Sequence, residues 1–263
     1  MPDPAAGTLT TERRGNVLVI SLARPEQRNA LSRAMRVELL AAIAAAEADS
    51  GVRALVLTGA GAAFCAGLDL AELEGTLRMD EAAHRADSEA LAGLFMALLT
   101  CPKPIVAAVN GPAVAGGAGL VAACDLAVMG EGARIGYTEA RIGFVAALVG
   151  VILMRQVGEK HARELLLSAR LVGADEALAM GLVNAIAPDD DVLLVACELA
   201  AAVARNAPGS LALTKRLFLT AGGLPLEAAM RAAVDVNVTA RVGPELGEGV
   251  RAFLEKRSPG WRE

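Results

Sequence analysis

The sequence predicts an α/β fold of stacked strand, loop and helix units, followed by a helical C-terminal part. Three observations predict it. Short apolar runs at residues 17–22, 53–58 and 105–109 read as strands. Each is followed by a Gly- or Pro-bearing loop and then a segment with helical apolar spacing. From about Val145 onward the chain turns mostly helical.

Taken in order, residues 1–15 carry Asp3, Glu12, Arg13 and Arg14 and no continuous apolar stretch, so they read as a loose lead-in and not as a secretion signal. Val17 to Leu22 is β-branched and apolar, and Arg24-Pro25 breaks it. Ser32 is an N-cap candidate for an amphipathic helix whose apolar positions recur from Met35 through Ile43. The run 53–58 reads as a buried strand and opens into a glycine-bearing loop, with a longer helix over residues 79–99. Pro102-Lys103-Pro104 ends that helix ahead of the strand at 105–109, and a second small-residue turn, Asn110 to Asp125, leads into another helix. Further helices are expected at 198–205, 211–219 and 226–238. The division between an α/β core and the helical part is placed near residue 200, giving units of 1–200 and 201–263.

Composition narrows the function. Apolar residues make up 54% of the 263 positions but aromatics only 3%, which suits close helix packing on small side chains and gives little support to nucleotide stacking on aromatic platforms. A net charge of -5 opposes a general nucleic-acid or membrane-surface binder. Cys65, Cys101, Cys124 and Cys197 form no CxxC pair, and with only His84 and His161 present there is no metal-ligand spacing, so no metal is expected. The cysteines read as reduced thiols of a cytoplasmic protein. Both histidines stand among charged residues and read as surface groups, and no GxSxG elbow supports a Ser/His/Asp hydrolase. The small-residue turn also misses the GxGxxG dinucleotide spacing.

Four pieces in order carry a resemblance: Arg24-Pro25-Glu26-Gln27-Arg28-Asn29-Ala30-Leu31, Phe64-Cys65-Ala66-Gly67-Leu68-Asp69-Leu70, the Asn110 to Asp125 turn, and Gly173-Ala174-Asp175-Glu176-Ala177 with Gly181-Leu182-Val183. Together they resemble the crotonase superfamily, the enoyl-CoA hydratase/isomerase family, from about Val17 to Arg257. The resemblance implies a crotonase-like spiral of repeated ββα units and a C-terminal helical trimerisation region, commonly assembled as a homotrimer or a dimer of trimers. It also implies an acyl-CoA thioester substrate, with no cofactor beyond the coenzyme A that the substrate carries.

The resemblance also assigns roles. Backbone amides of Leu68 and Gly116 form an oxyanion hole for a thioester enolate, and the helix after Gly117 adds its positive end. Glu139 is the proton carrier. Coenzyme A lies near Arg28, Ala30, Ala66, Leu68, Asp69, Leu70 and Gly116, with Arg28 a candidate phosphate contact. Phe253 and Lys256 would reach the nucleotide only from a neighbouring subunit. Where hydratases of the family carry a first glutamate, this chain has Gly119, and Ala146-Ala147-Leu148-Val149 replaces their usual Pro-Gly-Ala-Gly. One carboxylate suits migration of a double bond from 3-enoyl-CoA to 2-enoyl-CoA. Hydration of 2-enoyl-CoA is the alternative, and a non-catalytic acyl-CoA-binding protein is the reading from another class.

Overall fold

The structure, a computed structural model, describes residues 7–262. In chain order the elements are β1 (Leu9–Arg14), β2 (Val17–Leu22), α1 (Arg33–Ala48), β3 (Ala54–Gly59), α2 (Leu70–Thr76), α3 (Glu81–Thr100), β4 (Ile105–Val109), β5 (Ala113–Val114), α4 (Gly116–Ala123), β6 (Leu126–Gly130) and β7 (Ile135–Gly136). There follow α5 (Ala147–Ser168), α6 (Ala174–Met180), β8 (Ala185–Ala187), α7 (Val192–Ala204), α8 (Pro208–Ala221), α9 (Leu226–Val242) and α10 (Pro244–Leu254).

Six strands form the main sheet in the order β1-β2-β3-β4-β6-β8, with β1 antiparallel to β2 and every other pair parallel. A second, shorter layer is made by β5 pairing with β7 and by single bridges Leu31 to Leu68, Cys65 to Ala113 and Ile135 to Val172. Main strand, short strand and helix thus recur along the chain, which is the expected spiral of ββα units. Parallel strands need helices on both faces, because side chains alternate between them. One face, with Val17, Val19, Val56, Val106 and Val128, is covered by Ala196, Ala200 and Ala204 of α7. On the other, Ile20, Leu22, Leu55, Leu57 and Met129 pack with Leu39 of α1, Leu94 and Leu98 of α3 and Leu153 of α5. Alanines four apart let α7 lie close to the sheet, which accounts for a large apolar fraction with few rings.

Several expectations hold in detail. β2 and β4 occupy the expected residues, and the Ser32 hydroxyl accepts the Met35 N–H at 3.2 Å as the cap of α1. Gly158, at φ 75°, interrupts α5 and puts His161 near the start of its second half. The lead-in is corrected: Leu9–Arg14 is a strand, paired along its length with β2, while residues 1–6 lie outside the described residues. As an exposed edge it carries Thr, Glu and Arg and shows no apolar alternation. Residue 200 falls inside α7, whose buried alanines belong to the sheet packing.

A polar junction ties α8 to the core. The Asp125 carboxylate, next to β6, accepts the Ile105 N–H at 2.8 Å and Lys215 Nζ at 2.6 Å, and Lys215 also donates to the Lys103 carbonyl at 3.2 Å. The Lys215 side chain is only 10% exposed. Replacing Lys215 by Ala is expected to cost about 1–3 kcal/mol, because a half-buried carboxylate loses its charge partner. In a thermal unfolding scan this reads as a Tm lowered by roughly 2–10 °C.

Candidate active site

The loops that leave the carboxyl ends of β2, β3 and β4 converge, as binding loops of parallel sheets do. After β2 the chain makes a tight knot. The Asn29 side chain, wholly buried and at φ 56°, accepts the Arg24 N–H at 2.9 Å and donates to the carbonyls of Ala60 at 2.9 Å and Ala63 at 2.8 Å. It therefore holds the first loop to the one after β3. From there the two segments zip together: Ala66 N–H donates to Arg28 O at 3.0 Å, Leu31 N–H to Gly67 O at 2.8 Å, and Asp69 N–H to Leu31 O at 3.2 Å. Arg28, Ala30, Ala66, Leu68, Asp69 and Leu70 are brought into one cluster by these bonds.

The third loop meets the same cluster. Cys65 N–H donates to Pro112 O at 3.1 Å and Val114 N–H to Cys65 O at 2.9 Å, so the two glycine turns lie backbone against backbone. Gly67, at φ 94°, has Val114 O and Ala115 Cβ each 3.0 Å from where a Cβ would stand, and a Cβ on Gly117 would collide with the Cys65 carbonyl. The Cβ position of Gly116 is 3.7 Å from the Leu68 amide nitrogen. Neither the Leu68 nor the Gly116 amide donates a hydrogen bond to backbone or side chain among the described residues. These are two neighbouring N–H groups with no internal acceptor, one of them opening α4, and so both are free to donate to a bound oxygen. Ala115, just before Gly116, has φ 52° and ψ -122°, a strained conformation for a residue with a Cβ.

Glu139 follows β7, which pairs in parallel with the strand β5 that leads to Gly116. Ala113 N–H donates to Arg134 O and Ala115 N–H to Gly136 O, each at 2.8 Å, so Gly116 and Glu139 leave the same end of one parallel ladder. Glu139 opens a 3₁₀ turn closed by Gly143 in the left-handed region, and its carbonyl accepts the Phe144 N–H at 3.0 Å. It is the one buried carboxylate among the described residues, 9% exposed, and its Oε2 accepts no hydrogen bond. Burial raises its pKa above the ordinary glutamate value. The hydroxyl of buried Tyr137, two residues earlier, likewise has no partner, and burial and the charge of Glu139 push its pKa up.

Gly119 lies on α4 with no side chain to offer. A Cβ there would stand 2.6 Å from Val149 Cγ2 and 2.9 Å from Phe95 Cζ. The Asp69 carboxylate is engaged structurally: it caps α2 through Ala71 and Glu72 N–H and pairs with Arg24 at 2.9 Å. Arg28 and Leu70 are exposed at the rim. Phe253, on α10, lines a surface groove with Trp261, and the Trp261 carbonyl accepts from Arg53 just before β3, at the amino end of that strand. Phe253 and exposed Lys256 are therefore not brought together with Leu68, Gly116 and Glu139 within one chain. Among the described residues no group of three His, Cys, Asp or Glu side chains is placed to hold a metal. Sequence alone gives Arg24, Asn29, Phe95 and Val149 no role in the site. For Arg24 and Asn29 a signal existed in the Arg-Pro…Asn spacing.

Two outcomes are expected. Gly117→Ala forces the turns apart and should lower kcat/KM at least about 100-fold, the scale of losing one oxyanion donor, as measured by steady-state kinetics on an acyl-CoA substrate. Glu139→Gln concerns stability. Because burial raises the folded pKa, the native state keeps this proton to higher pH than the unfolded chain, and the stability it supplies is lost as pH rises through the folded pKa. The always-neutral Gln variant should be the more stable protein at neutral pH in denaturant titrations. That advantage should vanish below the unfolded glutamate pKa of about 4.3.

Similarity to known proteins agrees with this geometry. The family model described as enoyl-CoA hydratase/isomerase matches residues 12–263. A Thermus thermophilus protein assigned by name to the enoyl-CoA hydratases is 56% identical over 94% of this chain and 97% of its own length. An enoyl-CoA hydratase of Mycobacterium tuberculosis is 33% identical over 95% of each chain. The crystal structure of an enoyl-CoA hydratase from Mycobacterium smegmatis superposes with a TM-score of 0.89 at 34% identity, covering 97% of this chain and 99% of that one. With the paired glycine turns and the buried glutamate, these likenesses establish that the chain belongs to the enoyl-CoA hydratase/isomerase family.

Proposed function

We propose that this enzyme shifts the double bond of a 3-enoyl-CoA to the 2-position, using Glu139 as the only proton carrier and the amides of Leu68 and Gly116 as the oxyanion hole. One observation carries the reading: the single buried carboxylate among the described residues, Glu139 with its unpartnered oxygen, leaves the same end of the β5–β7 ladder as Gly116, and position 119 offers no second one. Glu139 takes a proton from C2, the electron pair moves onto the thioester carbonyl, and the two amides meet the resulting negative charge. The same carboxyl then returns the proton to C4, leaving the double bond between C2 and C3. The raised pKa suits a group that must both take and give a proton near neutral pH.

Coenzyme A would lie along Arg28, Ala30 and Ala66 to Leu70, with Arg28 at the rim meeting a phosphate. An exposed apolar stripe on α9, Leu226, Met230, Val234, Val238 and Val242, supports assembly as a homotrimer or dimer of trimers, in which Phe253 and Lys256 could serve a neighbour's nucleotide. The four cysteines are unpaired, in keeping with work in the cytoplasm. The names of the relatives favour a second reading, hydration of 2-enoyl-CoA. A binding protein without catalysis is disfavoured, because a buried carboxylate lacking a structural partner weakens the fold and only chemistry repays it.

Purified protein incubated separately with 3-enoyl-CoA and 2-enoyl-CoA, with products resolved by chromatography and mass, separates these readings. Isomerisation well above hydration is expected. Rapid hydration without isomerisation would replace the first reading with the second. Glu139→Gln should lower kcat by about 100- to 10,000-fold, the usual weight of a general base, with acyl-CoA affinity nearly unchanged. In the wild type, kcat/KM should rise with pH through an apparent pKa above that of an ordinary glutamate.

A further inference from the structure

We infer that Phe95 and Val149 decide between double-bond migration and hydration, by occupying the space from which a second carboxylate and its water would act. The inference rests on the single-glutamate reading above. A glycine at position 119 could in principle leave a hole that water fills and uses, but the surroundings of Gly119 give it none. A Cβ would meet Val149 Cγ2 at 2.6 Å and two atoms of the Phe95 ring at 2.9 and 3.2 Å. Phe95 comes from α3 and Val149 from the first turn of α5, and they are 2% and 4% exposed. Both belong to the main apolar core, so neither can turn aside without repacking it.

The chemical consequence follows from what these groups lack. Hydration joins the oxygen of water to C3 and delivers a proton to C2 from an acid, while one of the water's two protons stays on the new hydroxyl and the other must pass to a base. A ring edge and a methyl group can neither hold the water nor accept its proton. They also keep water from an enolate that is meant only to be reprotonated at C4. The wall thus acts on the outcome of the reaction without touching the proton that Glu139 moves.

The test is a cycle at positions 95 and 119 in the full chain, read for stability and for hydration of 2-enoyl-CoA. Gly119→Glu alone should unfold at lower temperature than wild type and gain no hydration, because the new side chain has nowhere to go. Phe95→Ala alone should open an apolar cavity and gain none either. In the double variant the carboxylate takes the space of the ring. That protein should be more stable than Gly119→Glu alone, and it should hydrate 2-enoyl-CoA at least about tenfold faster than either single variant. The pair Gly119→Glu with Val149→Ala should move in the same direction.

Gly119→Glu alone hydrating as fast as the double variant would overturn the inference, as would a double variant no more stable than that single one. So would a folded double variant without hydration. The stability cycle uses no substrate, and the preference of the wild type for isomerisation is read without any variant. A failure of the proposed reaction is therefore distinguishable from a failure of the role given to Phe95 and Val149.

Discussion

The contact between two glycine turns governs the rest of this molecule. Cys65 O lies so close to Gly117 that no Cβ fits, and Val114 O stands 3.0 Å from the Cβ position of Gly67, whose φ of 94° also favours glycine. The amides of Leu68 and Gly116 can be neighbours only because nothing stands between the turns. That closeness in turn requires β3 and β4 to be adjacent and parallel, so that their outgoing loops start side by side. It also requires α4 to be a helix of Gly, Ala, Leu and Val, every residue buried, since it must enter the core directly after the turn. A donor pair made of main chain is rigid to the extent that its loops are. Here the loops are pinned by the Asn29 knot and by the ladder from Cys65 through Ala113 to Ile135.

Such a site is costly, and the costs fall in two places. Ala115 holds a backbone conformation that glycine adopts more readily, and Glu139 keeps a buried carboxyl group without a hydrogen bond to Oε2. Each works against folding by an amount of order 1–3 kcal/mol. The remainder of the chain has the means to bear them. The sheet is apolar on both faces, and α7 covers one of these through three alanines, so most of the buried area lies in parts that take no part in chemistry.

How much of this was readable in the sequence depended on whether a segment's own side chains or its partners decide its structure. β2 and β4 are buried on both faces, so they announce themselves as apolar runs, and Ser32 announces α1 through its own hydroxyl. β1 shows five exposed residues of six and is a strand only because β2 pairs with it. β5 and β7 are two residues each, too short for any period, yet their pairing makes Gly116 and Glu139 leave the same end of one ladder. The glycine turns were legible because close backbone approach restricts their residue types, whereas Glu139 was legible only through the family resemblance. Phe95 was not, since one phenylalanine on an apolar helix face looks like any other until its neighbour across the core is known to be Gly119.

An oxyanion hole built from backbone separates the activation of the thioester from the choice of reaction. If the amides of Leu68 and Gly116 form that hole as proposed, changing the side chain at 119 leaves them where the turns hold them, so a chain with or without a carboxylate there keeps the same donors. A family defined by that scaffold therefore holds hydratases and isomerases together, and likeness over the whole length cannot divide them. What divides them must be local, and it has two parts: which carboxylates are present, and whether water can reach C3. In this chain both parts meet at Gly119, where the acid is missing and the wall of Phe95 and Val149 has closed over its place. A carboxylate removed with its space left open would leave room for water to stand in. Under the single-glutamate reading proposed above, a filled space at position 119 leaves the enolate only a proton to take.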